Sequence, residues 1–327
     1  MARGDYVLML GDDDALTPWF ASQVTKLLDS TRRPDIVYFA SYHYCYPDVM
    51  PMEPKGYLAD VRNSRFCKDR SGPFELPLEQ ARMVAEAAFD FRYLFGFNSQ
   101  HFLFRADFVK SMESLGGLFQ SPYPDTFSAV VSFLKANSIA VIPEPMVMIG
   151  ISPKSFGYYY FNKLVTEGYE FLDNEQVSKD VRQALEHAVI PGDKNNTNWL
   201  ISVEVARLAL APERALNVNI ERYRLLQIVA FLQGMYCDKT RQPPERTQFE
   251  TLLNDFEREV FGLLCAVVES SDGSQNDLAK LFDAFRRQLG QFWPAQVSML
   301  DIGRHSNILD AYDWLAKNQS KVMRRKG

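Results

Sequence analysis

Three adjacent carboxylates, Asp12, Asp13 and Asp14, are the strongest chemical signal in the sequence. They follow an apolar run, residues 6–10, that has the pattern of a buried strand. Ligands of open α/β sheets bind at the carboxyl ends of strands, and Mg²⁺ and Mn²⁺ favour carboxylate oxygens as ligands. The cluster therefore indicates a cation site. An exposed acidic turn ahead of a helix, whose N-terminus favours negative charge, is the alternative interpretation.

Length and composition restrict the class of protein that carries this cluster. A chain of 327 residues predicts roughly two domains. Its hydrophobic content of 46% is typical of a globular protein, and a net charge of −5, spread evenly, leaves no basic surface for nucleic acid. The four cysteines lie far apart, as reduced thiols of a cytoplasmic protein do, and no apolar run is long enough to span a membrane.

The periodicity of apolar residues divides the chain into two parts. Short strand-like runs alternate with helical patterns in the first half, which predicts an α/β fold with a mixed sheet. After about residue 165 we find helical spacing, interrupted by proline and glycine, and no convincing strand. The expected domains are therefore 1–165, with the sheet and the acidic triplet, and 166–327, which is helical.

Residues 2–18 combine an A-x-G-D-Y motif, an apolar strand, the aspartate cluster and L-x-P, and they resemble the centre of a family 2 glycosyltransferase of the GT-A fold. The resemblance implies a DXD-type motif whose divalent cation, Mn²⁺ or Mg²⁺, bridges to the diphosphate of a nucleotide sugar. By position, Asp13 is the direct metal ligand, Asp12 contacts the ribose or diphosphate and the metal, and Asp14 is a secondary ligand. One departure is that Gly11 stands where many members have an aspartate.

The resemblance continues in residues 115–125, which are similar to a glycine–aromatic loop that ends in an acidic residue at a helix start. In the family this acid is the general base that deprotonates the acceptor hydroxyl, and transfer inverts the anomeric configuration. The base of this chain would then be Asp125. The same residue is also a good N-cap for a helix over 126–137, so the two interpretations stay open.

The resemblance also implies contacts to the two substrates. Residues 97–105 are similar to the strand beneath the acceptor, and residues 150–157 are similar to a loop that closes over the donor diphosphate. A structural histidine and an ordinary surface turn are the respective alternatives. The implied acceptor contacts are Asn98, Gln100 and His101, and the implied diphosphate contacts are Lys154, Ser152 and Ser155.

The resemblance covers about residues 1–165, and the two βα units that open the family's sheet have no counterpart before the acidic triplet. The expected sheet is therefore N-terminally incomplete, with an exposed edge strand that favours a homo-oligomer. The expected function is transfer of a sugar from a nucleotide-diphosphate donor to a saccharide or glycoconjugate acceptor. The alternative is a non-catalytic, decayed relative that acts in binding or assembly.

Two further expectations concern the helical half. A wide apolar stripe, spaced by three and four residues, predicts side chains packed on neighbouring helices. A short basic tail, without an apolar partner face, predicts at most weak contact with a membrane surface, and a solvated tail is the other interpretation. The stripe comprises Phe249, Leu252, Leu253, Phe256, Val260, Leu263 and Leu264, and the tail comprises Lys321, Arg324, Arg325 and Lys326.

Overall fold

The computed structural model describes residues 3–50, 55–61, 64–67, 70–120, 122–162, 177–237, 243–271, 274–289 and 299–324. The chain divides into two compact units. The sheet unit consists of Met1–Glu86, Leu94–Asn174 and Pro294–Gly327, and the helical unit of Ala87–Tyr93 and Glu175–Trp293. The predicted domain boundary at residue 165 and the last part of the basic tail lie outside the described residues.

The fold is mixed α/β, as the alternation of patterns predicted. The strands are β1 Tyr6–Leu8, β2 Ala15–Leu16, β3 Ile36–Cys45, β4 Tyr57–Val61, β5 Phe74–Glu75, β6 Phe102–Arg105, β7 Ile139–Ile151 and β8 Met299–Arg304. The helices are α1 Phe20–Ser30, α2 Leu78–Glu86, α3 Ala106–Ser111, α4 Pro124–Lys135, α5 Phe156–Phe161, α6 Lys179–Leu185, α7 Lys194–Leu210, α8 Ile220–Tyr236, α9 Pro243–Thr251, α10 Asp255–Glu269, α11 Gln275–Gln288 and α12 Ile308–Arg324. No helix among the described residues has both the length and the apolar character that a membrane crossing requires.

Strands β3 and β7 form the centre of the sheet and run parallel. Strands β6 and β4 pair with β3 in the antiparallel direction, and β1 and β8 extend the sheet beyond them. On the other side, β5 and β2 pair with β7. Since almost every residue of β3 and β7 is buried, these two strands form the rigid base on which the loops of the site rest.

Strand β7 joins two apolar runs of the sequence, residues 139–142 and 146–149, and continues through Pro143 and Pro145 between them. The ladder to β3 shifts register here, since Phe39 pairs with Ile142 whereas Ala40 pairs with Pro145. Proline cannot donate a ladder hydrogen bond and is therefore tolerated at such an irregularity. The irregularity allows one long strand to reach from the core to the site.

Thr17 followed by Pro18 predicts a helix with Thr17 as its N-cap and Pro18 at its first position, and the start of α1 differs from this prediction. The helix begins at Phe20, and the Thr17 hydroxyl instead donates to the Met146 carbonyl at 3.0 Å. The indole of Trp19 donates to the Pro145 carbonyl, also at 3.0 Å. These two bonds attach the segment after the acidic triplet to β7.

Strand β8 was not predicted, because the C-terminal region showed helical spacing only. It pairs antiparallel with β4, so the all-helical description of residues 166–327 is wrong at this point. The helix that follows, α12, places Ala311 and Leu315 in the core of the sheet unit. Residues from both ends of the chain therefore build one sheet.

In the helical unit, Arg224 of α8 forms a bidentate ion pair with Glu257 of α10, at 2.6 and 2.8 Å. Glu257 is 2% exposed and also completes a capping box with Asn254. Burial alone would raise the pKa of Glu257, but the hydrogen bonds from Arg224 and Asn254 lower it below its usual value. A buried and fully bonded carboxylate fixes the position of α10 on α8.

The predicted apolar stripe is only partly buried. Phe249 and Leu253 lie in the core of the helical unit, whereas Leu252, Phe256 and Leu263 are 46%, 52% and 61% exposed. The face of α10 that packs inward is instead formed by Phe261, Cys265 and Val268. The prediction that the whole stripe packs on neighbouring helices is therefore wrong, since a stripe wider than the contact leaves one side in solvent.

This difference predicts unequal costs for the same substitution on one helix. Phe261 is 2% exposed and its ring contacts Phe231 and Phe249, whereas Phe256 is 52% exposed. We expect Phe261→Ala to lower the free energy of unfolding by about 3–5 kcal/mol and Phe256→Ala by less than about 1 kcal/mol. Urea denaturation of both variants checks this, and equal losses would contradict the described packing of α10.

Candidate functional site

The acidic triplet lies in the turn between β1 and β2. Asp12 is exposed, whereas Asp13 and Asp14 are partly buried. Strand β2 follows at once and pairs with β7 through Ala15 and Met148. The turn is therefore attached at both ends to the sheet, next to the carboxyl end of β7.

The carboxylate of Asp14 joins three segments of the chain. Its Oδ2 accepts hydrogen bonds from the Gly11 amide at 2.6 Å and from Nε2 of Gln100 at 2.9 Å. Its Oδ1 accepts one from the Gly150 amide at 2.9 Å. These contacts hold the triplet turn against both the Ser99–His101 turn and the end of β7.

Gly150 contacts the triplet more closely than any side chain would permit. A Cβ atom at this position would lie 2.6 Å from the carbonyl carbon of Asp13 and still closer to its oxygen. The Tyr46 hydroxyl also donates to that oxygen, at 3.4 Å. Burial raises the pKa of Tyr46, and the negative charges of the triplet add to the effect. The backbone of the turn thus lies directly on the ends of β3 and β7.

Asp125 is not the N-cap of its helix, in contrast to that alternative interpretation. Helix α4 begins at Pro124, so Asp125 lies in its first turn, and the N-cap position is Tyr123. The carboxylate turns instead to the Ser99 amide, which donates to it at 3.2 Å. Burial raises the pKa of Asp125, the bonds from Ser99 oppose this, and the charge of Asp14 adds to the increase. Asp125 and the triplet are therefore electrostatic neighbours on either side of residues 99–100.

The three residues assigned to the acceptor occupy different environments. Asn98 is partly exposed and its carbonyl accepts from the His101 amide. Gln100 is partly exposed and contacts Asp14, as described above. His101 is fully buried, its ring is stacked on Tyr38 at 5.5 Å, and its Nδ1 lies 2.8 Å from the Phe39 carbonyl. Of the three, His101 thus has the environment of a structural histidine.

The environment of His101 predicts a pH-dependent stability. Burial lowers the pKa of His101 to about 4, although its bond to the Phe39 carbonyl opposes this effect. Burial also lowers the pKa of His43 to about 3, and the charge of a protonated His101 adds to the decrease. The unfolded chain takes up these protons near pH 6.5, so the stabilising contribution is complete above that pH and is lost as the pH falls toward 4. We expect His101 to contribute a decrease of about 2 kcal/mol in the free energy of unfolding between pH 8 and pH 5.

Urea denaturation at the two pH values measures this decrease. A His101→Gln variant should show a smaller pH dependence, although it is less stable overall. His187→Gln, at an exposed position, is the control and should retain the pH dependence of the wild type. An unchanged pH dependence in His101→Gln would contradict the buried neutral imidazole.

The residues assigned to the diphosphate follow Gly150 directly. The Ser155 hydroxyl donates to the Ser152 carbonyl at 2.8 Å, which forms a tight turn before α5. Lys154 is exposed at the tip of this turn. The ring of Phe156, at the start of α5, lies 6.5 Å from that of Tyr123, so the turn also contacts the start of α4. The loop thus borders both the triplet and Asp125.

The carboxylate oxygens of the triplet are ligands of the kind that Mg²⁺ and Mn²⁺ prefer. A Cβ atom at Gly11 would lie 3.1 Å from Asp13 Oδ1, a tight contact, so glycine at this position leaves the Asp13 carboxylate uncovered. In the part of the chain that the structure describes, no three histidine, cysteine or acidic side chains are grouped as a metal site. Mg²⁺ in substrate complexes is commonly held by one or two carboxylates together with phosphate oxygens, which is compatible with this arrangement.

Sequence patterns did not identify Tyr46, and they gave no role of their own to Ser99 and Gly150, although both lie in the stretches 97–105 and 150–157 that the resemblance covers. Ser99 and Tyr46 are ordinary polar residues within runs that predict strands or turns, and their contacts connect distant segments. Gly150 carried a readable signal, because an isolated glycine at the end of an apolar strand often marks a close backbone approach.

No family model and no curated protein matches the chain. Among solved structures, the chain is similar to "Crystal structure of S. aureus TarS 1-349", with 14% sequence identity and a TM-score of 0.33. The alignment covers 88% of this chain and 68% of that one. A similarity of this size establishes neither a family nor a function.

Proposed function

We propose that the chain is a cytoplasmic, metal-dependent glycosyltransferase that moves a sugar from a nucleotide-diphosphate donor to a saccharide or glycoconjugate acceptor. The observation that carries the proposal is the hydrogen-bonded arrangement of Asp14, Gln100 and Gly150, with Asp125 held beside them by Ser99. Segments distant in sequence thereby place carboxylates on two sides of one site. This arrangement supports the roles that the resemblance to family 2 glycosyltransferases implies.

Asp13 and Asp12 are the residues that would hold Mn²⁺ or Mg²⁺ in this proposal. Asp12 is exposed and so is able to reach a ribose or diphosphate, and Asp13 is only partly buried. When bound, the cation supplies positive charge that stabilises the leaving diphosphate. The hydrogen bonds to Asp14 and to the Asp13 carbonyl hold the backbone that carries these two carboxylates, without contribution from the substrate.

Asp125 would remove the proton of the acceptor hydroxyl as that oxygen attacks the anomeric carbon. An in-line attack opposite the leaving diphosphate inverts the configuration. Burial raises the pKa of Asp125, and a base whose pKa lies closer to neutral takes up a proton more effectively. The Ser99 amide keeps the carboxylate turned toward the site rather than toward its own helix.

The remaining polar residues border the place where the substrates would lie. Lys154 is an exposed cation in the loop that follows Gly150 and would neutralise a donor phosphate, with Ser152 and Ser155 in the same turn. Asn98 and Gln100 lie beside Asp125 and would contact the acceptor.

The proposal is tested with Mn²⁺ and a panel of uridine, guanosine, cytidine and thymidine diphosphate sugars, with release of the nucleoside diphosphate as the readout. We expect one donor to be cleaved or transferred in a Mn²⁺-dependent reaction, and Asp13→Asn to lower the rate by about a hundredfold or more. Asp29→Asn, at an exposed position of α1, is the control and should be fully active. A folded wild-type protein that neither binds nor cleaves any donor would contradict the proposal.

A non-catalytic role in binding or assembly is the second candidate, and the exposed side chains of α10 favour it. Phe256, Leu263 and Val267 are 52%, 61% and 45% exposed, and their spacing of seven and four residues puts them on one face of α10, an exposed apolar face that would suit a protein contact. Donor binding distinguishes the candidates, since an assembly protein that associates through α10 would bind no nucleotide sugar.

A further inference from the structure

The three aspartates of the triplet differ in how far their carboxylates are already engaged. Both oxygens of Asp14 accept hydrogen bonds, from Gly11, Gln100 and Gly150. Among the residues that the structure describes, no hydrogen bond to the side chain of Asp13 is found. A carboxylate that already accepts three hydrogen bonds has little capacity left for a cation, whereas a free one keeps its full capacity.

We propose that Asp14 is a positioning residue rather than a metal ligand, and that Gln100 is the residue that holds it. This inference rests on the proposed function, because it divides the roles within the proposed cation site. Asp13 and Asp12 meet the cation, and Asp14 fixes the turn that carries them. Residues that orient metal ligands through hydrogen bonds commonly affect metal affinity or activity by ten- to a hundredfold when substituted.

Gln100 is suited to this role by its place in the chain. Its neighbour Ser99 holds Asp125, and its other neighbour His101 is fully buried and contacts the Phe39 carbonyl of β3. Gln100 is therefore fixed to the sheet on one side and to the base on the other. The 2.9 Å bond from its Nε2 to Asp14 then sets where the triplet lies relative to Asp125.

A neutral hydrogen-bond donor suits this position, because it faces the Asp14 carboxylate. A glutamate would place a second negative charge against Asp14, and a methionine would have similar size but no donor. Oε1 of Gln100 is buried without a partner in the described part of the chain, so the bond to Asp14 is the polar contact that orients the side chain. Gln100→Met thus removes this contact with little change of volume.

Binding of Mn²⁺ alone, measured by calorimetry, separates a positioning residue from a ligand. We expect Asp13→Asn to abolish measurable binding and Gln100→Met and Asp14→Asn each to weaken it by about tenfold. The double variant should bind about as weakly as Asp14→Asn alone, because the bond that Gln100→Met removes is already disturbed by the substitution of Asp14. Gln80→Met, at a partly exposed position of α2, is the matched control and should bind Mn²⁺ as the wild type does. Loss of binding in Asp14→Asn together with unchanged binding in Gln100→Met would overturn the proposal.

A second measurement does not depend on the cation. Hydrogen exchange of the Gly150 amide, which donates to Asp14, reports whether the carboxylate is held in place. We expect about tenfold faster exchange in metal-free Gln100→Met and no change in Gln80→Met. If the wild type bound no Mn²⁺, the proposed metal dependence would be wrong. The exchange rate of the Gly150 amide would still show whether Gln100 holds Asp14. Unchanged exchange in Gln100→Met would overturn that role.

Discussion

Replacing Asp125 with asparagine should reduce sugar transfer by about a hundredfold or more and leave the fold intact. Asparagine has nearly the same shape and retains an oxygen that accepts from the Ser99 amide. It cannot take up the proton of an attacking hydroxyl at neutral pH. The loss should therefore appear in the rate constant of transfer and not in the melting temperature.

A matched control is present in the same unit. Asp107 is the second residue of α3, as Asp125 is of α4, but it is exposed. Asp107→Asn should be fully active. An active Asp125→Asn enzyme would remove Asp125 from the mechanism, and so would equal losses in the two variants.

The pH profile of transfer gives a further check on Asp125. Since burial and the nearby Asp14 raise its pKa, activity should decline on acidification at a higher pH than an ordinary aspartate would cause. A steady-state rate measured from pH 4 to pH 8 shows where the decline occurs. A profile that stays flat down to the usual range of aspartate would contradict this environment.

Replacing Gly150 with alanine should cause the second large effect. The added Cβ would overlap the carbonyl group of Asp13, and neither partner can rotate away because both are backbone. Strand β7 and the triplet turn must then separate, which weakens the bond from the Gly150 amide to Asp14. We expect a loss of about 1–3 kcal/mol in the free energy of unfolding and a strong reduction of Mn²⁺ binding.

Gly262 offers the control for this substitution. A Cβ atom there would meet nothing within 4 Å, and the residue lies inside α10, where alanine is favoured over glycine. Gly262→Ala should therefore stabilise the protein, by about 0.5–1 kcal/mol. Thermal melts and Mn²⁺ titrations of both variants test the comparison, and a Gly150→Ala protein with wild-type stability and binding would contradict the close approach.

Patterns that are local in sequence predicted much of the fold. Apolar runs at 35–39, 101–104, 139–142 and 146–149 predict the central strands β3, β6 and β7, and helical spacing over 78–95 and 126–137 predicts α2, which ends earlier at Glu86, and α4. The start of α4 was predicted two residues too late, although Pro124 was the readable signal, because proline favours the first position of a helix. A helix that starts at Pro124 has Asp125 in its first turn, and a residue in the first turn is not the N-cap.

The parts that sequence could not predict depend on contacts between distant segments. Strand β8 is short and pairs with β4, which lies near the other end of the chain. The triplet was visible in the sequence, but the bonds of Asp14 to Gln100 and Gly150 exist only once three loops have met. Which side of the α10 stripe is buried likewise depends on the position of α8, which periodicity alone does not specify.

The pairing of β4 with β8 has a consequence for folding during synthesis. A ribosome must complete the helical unit before β8 and α12 emerge, and until then the edge of β4 and the core side chains Tyr44 and Leu58 lack their C-terminal cover. An open strand edge attracts other chains, so the nascent protein is prone to aggregation in this interval. The entropic cost of closing the long loop between β4 and β8 rises only slowly with its length, so the pairing costs the folded protein little stability. The topology should therefore make refolding slow and dependent on chaperones without making the finished protein unstable.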